Sequence, residues 1–165
     1  MKNIKNITVI GLGLIGGSLA LSIKESSNNI FVTGFDIADD ALNIAKYRNI
    51  IDKIADNYAD AVRDADIVII ATPISKIIDV VNEIKDHLKK GTIITDVGSA
   101  KEKIVNEINN ILPADIIFIG GHPMAGSENE GVLSARPDLF KNAFYVLTPT
   151  ENTKTNVKNK KKIKK

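Results

Sequence analysis

The sequence predicts a doubly wound α/β fold, in which a mostly parallel sheet carries helices on both faces. Short β-branched runs such as "ITVIG" (7–11) and "DIVIIATP" (66–73) alternate along the chain with longer stretches of helical periodicity. The strand-like runs are largely apolar, which is typical of parallel strands buried on both faces. Because parallel strands need crossover connections, the intervening helices complete the expected architecture.

Strand and helix alternate from residue 7 to residue 149. Apolar β-branched runs predict strands at 7–11, 30–36, 66–73, 91–96, 115–121 and 143–149. Apolar residues three or four apart predict helices at 14–26, 38–49, 74–88 and 99–111. Thr72 and Pro73 are expected to cap and open the third helix, and "SAKE" (99–102) matches a capping box for the fourth.

Composition bounds the class of protein. The 165 residues are 44% hydrophobic and 25% charged, which suits one globular domain with a core of its own. The chain contains no cysteine, so a disulfide framework and a thiolate metal site are both excluded, and we expect no metal centre. We find neither an apolar run long enough for a bilayer nor a secretory cleavage site, and therefore expect a cytoplasmic protein that does not bind membranes.

The formal net charge of +2 conceals two unlike segments. Residues 151–165 contain seven lysines and one glutamate, whereas residues 1–150 contain 15 basic and 19 acidic residues. Nucleic-acid binding requires a basic face on the folded part, and we find none. We expect a cofactor-binding domain at 1–150 and a basic tail at 151–165, either a frayed helix or disordered.

The segment "GLGLIGG" (11–17) matches the pattern G-x-G-x-x-G at Gly11, Gly13 and Gly16. A plain glycine turn is the alternative interpretation, but a predicted strand precedes this one and a predicted helix follows it. In that context the first glycine permits a tight turn, the second lets a pyrophosphate approach the backbone, and the third lets helix and strand pack closely. The pattern therefore predicts a dinucleotide on a Rossmann-type sheet.

Asp36 ends the second predicted strand, 20 residues beyond Gly16. A carboxylate there accepts hydrogen bonds from the adenosine ribose and repels a 2′-phosphate, which favours NAD over NADP. We expect the cofactor to contact the first glycine loop, Asp36 and the "ATP" turn after the third strand. These candidate residues are Gly11, Leu12, Gly13, Leu14, Ile15, Gly16, Asp36, Ala71, Thr72 and Pro73.

Catalytic groups are expected where later strands end, in "DVGSAKE" (96–102) and "GGHPMAGSE" (120–128). His122 can accept an alcohol proton while hydride leaves the same carbon, although a histidine packed in a loop is the structural alternative. Ser99 and the pair Ser127 and Glu128 are candidate ligand contacts, yet both "SAKE" and "SENE" (127–130) also match capping boxes. We interpret the other histidine, His87, as a solvated residue near a helix end, and Lys101 and Arg136 as surface charges.

These motifs together resemble the prephenate dehydrogenase family, which includes arogenate dehydrogenases. The resemblance covers roughly residues 5–157, and "GGHPMAGSE" after "DVGSAK" is its most specific part. The supporting segments are "VIGLGLIGGSLA" (9–20), "GFD" (34–36), "ATP" (71–73), "DVGSAK" (96–101), "GGHPMAGSE" (120–128) and "LFKNAFYVLTPT" (139–150).

The resemblance implies NAD-dependent oxidative decarboxylation of prephenate to 4-hydroxyphenylpyruvate in tyrosine biosynthesis. By that resemblance His122 deprotonates the ring hydroxyl, Ser99 contacts the same hydroxyl, and Glu128 lies by the substrate site. It also implies an all-helical second domain that forms a homodimer and holds the substrate carboxylates. Since the chain stops shortly after 150, we expect only the cofactor half here. Arogenate or another hydroxyacid as substrate, and a non-catalytic NAD-binding remnant, stay open as alternatives.

Overall fold

In the computed structural model, which describes residues 4–149, strands and helices alternate as a doubly wound fold requires. The strands are β1 (Asn6–Ile10), β2 (Phe31–Phe35), β3 (Lys53–Ile54), β4 (Ile67–Ile70), β5 (Ile93–Asp96), β6 (Ile117–Pro123) and β7 (Tyr145–Thr148). The helices are α1 (Leu14–Ser26), α2 (Asp39–Tyr47), α3 (Tyr58–Val62), α4 (Ile77–Ile84) and α5 (Glu102–Ile111). Three short 3₁₀ turns lie at Ile74–Lys76, Lys85–His87 and Val132–Ser134. Among the described helices none has the length and apolarity of a membrane span.

All of these strands join one sheet in the order β3-β2-β1-β4-β5-β6-β7. Strands β1 to β6 pair in parallel, and β7 pairs antiparallel with β6. The order reverses between β1 and β4, and a crevice for ligands forms at the carboxyl ends of the strands beside such a switch point. The doubly wound, mostly parallel sheet that the sequence predicts is confirmed.

The central strands are buried on both faces, which explains their apolar sequences. In β1, Val9 points to the face covered by α1 and α2, whereas Ile10 points to the face covered by α3, α4 and α5. In β4, Ile69 points to the face covered by α1 and α2, and Ile70 points to the opposite face. Because each face is sealed by its own helices, the edge at the carboxyl ends is left to bind a ligand.

The structure corrects several local expectations. The sequence predicts no element between residues 50 and 65, but the structure forms strand β3 and helix α3 there, two and five residues long. The helix expected at 74–88 is an α-helix only over Ile77–Ile84, with a 3₁₀ turn at each end. The observed strands start or end one to three residues from the predicted limits. The basic tail at 151–165 lies outside the described residues.

Candidate functional site

A cleft of about 1110 Å³ opens at the carboxyl edge of the sheet, above the switch point between β1 and β4. Its walls come from the loops after β1, β2, β4, β5 and β6 and from parts of α3 and α4, so five loops contribute to one site. Most of the residues singled out from the sequence line it: Gly11, Gly13, Leu14, Ile15, Asp36, Ala71, Thr72, Pro73, Ser99 and His122.

The three motif glycines occupy three different environments. Gly11 has a φ of +93°, in the region that favours glycine, and a Cβ there would lie 2.7 Å from the Ala71 backbone. A Cβ on Gly16 would lie 1.9 Å from the carbonyl oxygen of Gly11, so only hydrogen fits where α1 crosses β1. Apart from its chain neighbours, a Cβ on Gly13 would meet no atom within 4 Å in the described part of the chain. Gly13 therefore opens a space in the cleft wall where a ligand can approach the backbone.

The start of α1 is arranged for an anion. Gly13 is its N-cap residue, no side chain caps the helix, and the first turn has no acidic residue. Within residues 4–149, the N-terminal amides and the positive end of the helix dipole therefore face the cleft without a protein partner.

Asp36 holds the glycine loop against the end of β2. One carboxylate oxygen accepts a hydrogen bond from the Leu12 amide at 2.6 Å, and the other accepts one from the Ala38 amide at 2.9 Å. Each oxygen retains a second lone pair, so the carboxylate can still accept bonds from a ligand hydroxyl. Leu12 is fully buried and does not line the cleft, so its part in the site is the amide hydrogen bond that positions Asp36.

Thr72 does not cap a helix, contrary to the sequence-based expectation. Pro73 is the residue before the 3₁₀ turn, and no side chain caps that turn. The Thr72 hydroxyl oxygen is buried and has no hydrogen-bond partner among the residues that the structure describes. The backbone of Thr72 lines the cleft, whereas its hydroxyl oxygen is not accessible from it.

His122 lies in β6, and its ring lines the same cleft as Gly13. Nδ1 is buried and has no hydrogen-bond partner within the described part of the chain. A reacting hydroxyl in the cleft can therefore reach the ring only through Nε2. Ser99, on the loop after β5, is exposed and lines the cleft as well. The structure thus brings the proposed base and the proposed orienting hydroxyl to one cavity.

Asp96, at the end of β5, connects the Ser99 loop to the strand that carries His122. Its carboxylate is fully buried and accepts hydrogen bonds from the amides of Gly98 at 2.9 Å and Gly121 at 3.2 Å. It also pairs with Lys101, whose side chain is 14% exposed. The expectation that Lys101 is a surface charge is wrong, because a buried carboxylate requires a partner. Arg136, with a side chain 57% exposed, is a surface residue as expected.

Two predicted capping boxes are absent. Helix α5 begins at Glu102, its N-cap residue is Lys101, and no side chain caps it, so Ser99 lies outside the helix. Residues 127–130 form no helix, and the Ser127 hydroxyl accepts a bond from the Asn129 amide in a local turn instead. Both boxes match by spacing alone, and neither backbone takes the helical turn that the pattern needs.

Ser127 and Glu128 are exposed and do not line the cleft. Their neighbours Asn129, Glu130 and Gly131 line it instead, and sequence reasoning missed them. The roles of Ser127 and Glu128 toward substrate stay predictions. His87 is exposed in the turn after α4 and lies outside the cleft, as expected. Within residues 4–149, no group of three or more histidine, cysteine, aspartate or glutamate side chains could hold a metal ion.

Gly121 gives a stability test of the Asp96 junction. A Cβ on Gly121 would lie 2.6 Å from the Asp96 carbonyl oxygen and 2.8 Å from the Tyr145 hydroxyl, so Gly121→Ala must displace backbone. We expect the free energy of unfolding to fall by about 1–3 kcal/mol, measured by urea denaturation. Gly126→Ala is the matched control, because nothing lies within 4 Å of its Cβ. Equal stability of the two variants would show that the junction is loosely packed.

Fold and site together define a dinucleotide-binding domain of the Rossmann type. An open switch-point crevice, an uncapped helix start and a carboxylate at the end of β2 are the three parts that this class requires. A sequence model of the family "Prephenate dehydrogenase, nucleotide-binding domain" matches residues 19–164. The chain belongs to that family.

Individual relatives agree with this assignment. The chain is 43% identical over 148 residues to the prephenate dehydrogenase of Bacillus subtilis strain 168, which covers 89% of this chain and 40% of the relative. The crystal structure of Aquifex aeolicus prephenate dehydrogenase in complex with hydroxyphenyl propionate and NAD+ has a TM-score of 0.85 at 30% identity, covering 98% of this chain and 56% of that one. Synechocystis arogenate dehydrogenase has a TM-score of 0.83 at 32% identity, covering 96% and 55%. The chain thus spans about half the length of these relatives or less.

Proposed function

We propose that this chain binds NAD in the cleft, with the pyrophosphate at the start of α1 and the adenosine ribose on Asp36. Two features support the proposal: the open space beside Gly13 and the free lone pairs of Asp36. The Aquifex aeolicus relative contains NAD+. The nicotinamide end then lies toward β6, because the phosphates and the ribose occupy the β1 and β2 side.

The ribose contact is tested by Asp36→Ser. We expect NAD affinity to fall about tenfold or more, because a charged acceptor for two hydroxyls is lost. Isothermal titration calorimetry measures the change, and Asp39→Ser is the matched control, since Asp39 is exposed and outside the cleft. If Asp36→Ser binds NAD as tightly as the wild type, the ribose does not bind to this carboxylate.

We further propose that the chain forms the cofactor half of an enzyme that oxidatively decarboxylates prephenate to 4-hydroxyphenylpyruvate. The observation that carries this proposal is that His122 shares one cleft with the open glycine loop. When bound, NAD supplies the acceptor for the hydride that leaves the ring carbon bearing the hydroxyl. His122 Nε2 accepts the proton of that hydroxyl, and the Ser99 hydroxyl holds its oxygen in place.

Loss of carbon dioxide then aromatises the substrate ring, and its electron pair moves through the ring to the former hydroxyl oxygen. The proton held on His122 returns to that oxygen and gives the phenol. An imidazole nitrogen can accept the proton from one oxygen and return it later, and His122 lines the cleft where this transfer would occur.

The remaining proposals concern the whole protein. We place the cofactor domain at 1–150, and we propose that residues 151–165 begin a helical domain that holds the substrate carboxylates and forms a homodimer, with Ser127 and Glu128 toward the substrate. The exposure of strand β7 supports the proposal that another domain packs against it. Three of its four residues are exposed, and Val146 and Leu147 are among them. A cytoplasmic location is likewise a proposal.

Arogenate is the second candidate substrate, favoured by the likeness to Synechocystis arogenate dehydrogenase. An assay of NADH formation with prephenate and with arogenate decides between them. It is run with the chain alone and with the remainder of the Bacillus subtilis relative added in trans. We expect prephenate to be the better substrate. If the chain binds NAD but oxidises neither compound, alone or with the added domain, it is a non-catalytic NAD-binding protein.

A further inference from the structure

The cleft wall also includes residues outside the dinucleotide motif, and the part of the cleft that they line is called the recess. Its walls come from the loop after β2, from the start of α3 and from one face of α4 with the turn before it. These residues are Ile37, Tyr58, Ile74, Lys76, Asp79, Val80 and Glu83. With the phosphates at the glycine loop and the ribose on Asp36, the base of the nucleotide is the group that reaches this recess.

Large side chains at the mouth of the recess suit a flat ring. Ile37 is 90% exposed and Ile74 is 40% exposed, so both leave apolar surface in water beside the cleft. Tyr58 is held in place by Phe35, whose ring centroid lies 4.5 Å away at an interplanar angle of 53°. A purine that enters the recess covers apolar surface of these side chains and displaces water from it.

The polar edge of the recess is acidic. Asp36, Asp79 and Glu83 line the cleft together with Tyr58. Burial raises the pKa of Tyr58 most, and the charges of Glu83, Asp36 and Asp79 raise it further. Asp79 pairs with Lys76 at 3.4 Å, whereas Glu83 has no ion pair within residues 4–149. Glu83 is thus the carboxylate at this edge that is available to accept a hydrogen bond from a ligand.

We infer that Glu83 accepts a hydrogen bond from the 6-amino group of adenine, so the chain recognises the base of its dinucleotide as well as the ribose. This inference rests on the proposed binding of NAD. Adenine carries a hydrogen-bond donor at position 6, whereas hypoxanthine carries a carbonyl acceptor there. A carboxylate attracts the donor and repels the carbonyl, which makes Glu83 a specificity-determining residue.

The test compares NAD with nicotinamide hypoxanthine dinucleotide by isothermal titration calorimetry on the 165-residue chain. We expect the wild type to bind NAD about tenfold more tightly. In Glu83→Gln the preference should fall to near unity, because a glutamine amide can turn its N–H toward a carbonyl. Asp86→Asn makes the same charge change at an exposed residue outside the recess and should keep the wild-type preference.

The possible results distinguish a failure of the Glu83 contact from a failure of NAD binding. Equal affinity of the wild type for the two dinucleotides, or an unchanged preference in Glu83→Gln, overturns the role of Glu83 and leaves NAD binding intact. An equal loss of preference in Asp86→Asn overturns it too, because general charge would then be the cause. Failure of the wild type to bind either dinucleotide overturns the proposed function and this inference together.

Discussion

Replacement of His122 by asparagine is expected to lower the rate of prephenate-dependent NADH formation by about 10²–10⁴-fold. Asparagine is polar and of similar size, so the end of β6 keeps its packing, but an amide cannot accept the hydroxyl proton. NAD affinity should stay at the wild-type value, because the glycine loop and Asp36 lie on the far side of the switch point. The rate is measured by the absorbance of NADH, with the chain alone or with the remainder of the Bacillus subtilis relative added in trans.

The control for this variant is His87→Asn. His87 is exposed in the turn after α4 and lies outside the cleft, so its loss should leave both turnover and NAD affinity unchanged. Near-normal turnover in His122→Asn would exclude the imidazole as the base. A parallel loss of NAD affinity would instead show that His122 serves to hold the cofactor.

Replacement of Gly13 by alanine is expected to weaken NAD binding by about 100-fold or more while the free energy of unfolding changes little. Beyond its chain neighbours, the added methyl group meets no atom of residues 4–149 within 4 Å, and the φ of −77° suits any residue, so the fold tolerates it. The space it fills is the one that the pyrophosphate needs. Titration calorimetry and urea denaturation measure the two effects on the same sample.

Gly16→Ala provides the opposite case. Its Cβ would lie 1.9 Å from the Gly11 carbonyl oxygen, so we expect a loss of stability before any specific loss of binding. If Gly13→Ala binds NAD as tightly as the wild type, the pyrophosphate does not approach this loop. If Gly13→Ala unfolds as readily as Gly16→Ala, the glycine at 13 has a structural role instead.

The fold and the glycine loop were predictable because their signals are local. Uniformly apolar strands report burial on both faces, and the sequence from Gly11 to Gly16 contains the turn and the helix start together. Strand β3 and helix α3 are too short to produce a period, so their existence depends on pairing with β2 and packing against the core. Tertiary contacts decide such elements.

The parts of the site that sequence reasoning missed are those set by distant contacts. The sequence alone predicts that Lys101 is a surface charge, but the fold places the buried Asp96 carboxylate beside it. The capping-box patterns of Ser99 and Ser127 have the correct spacing, but neither segment forms a helix where the pattern starts. A clue was present at Asp96, since an acidic residue that ends an apolar strand must find partners.

A crystal structure of this chain with NAD tests the central claim most directly. The account predicts diphosphate oxygens on the amides at the start of α1, ribose hydroxyls on Asp36, and the nicotinamide ring facing His122 Nε2. A dinucleotide bound outside the cleft between β1 and β4, or bound in it with the nicotinamide on the Asp36 side, would contradict the account.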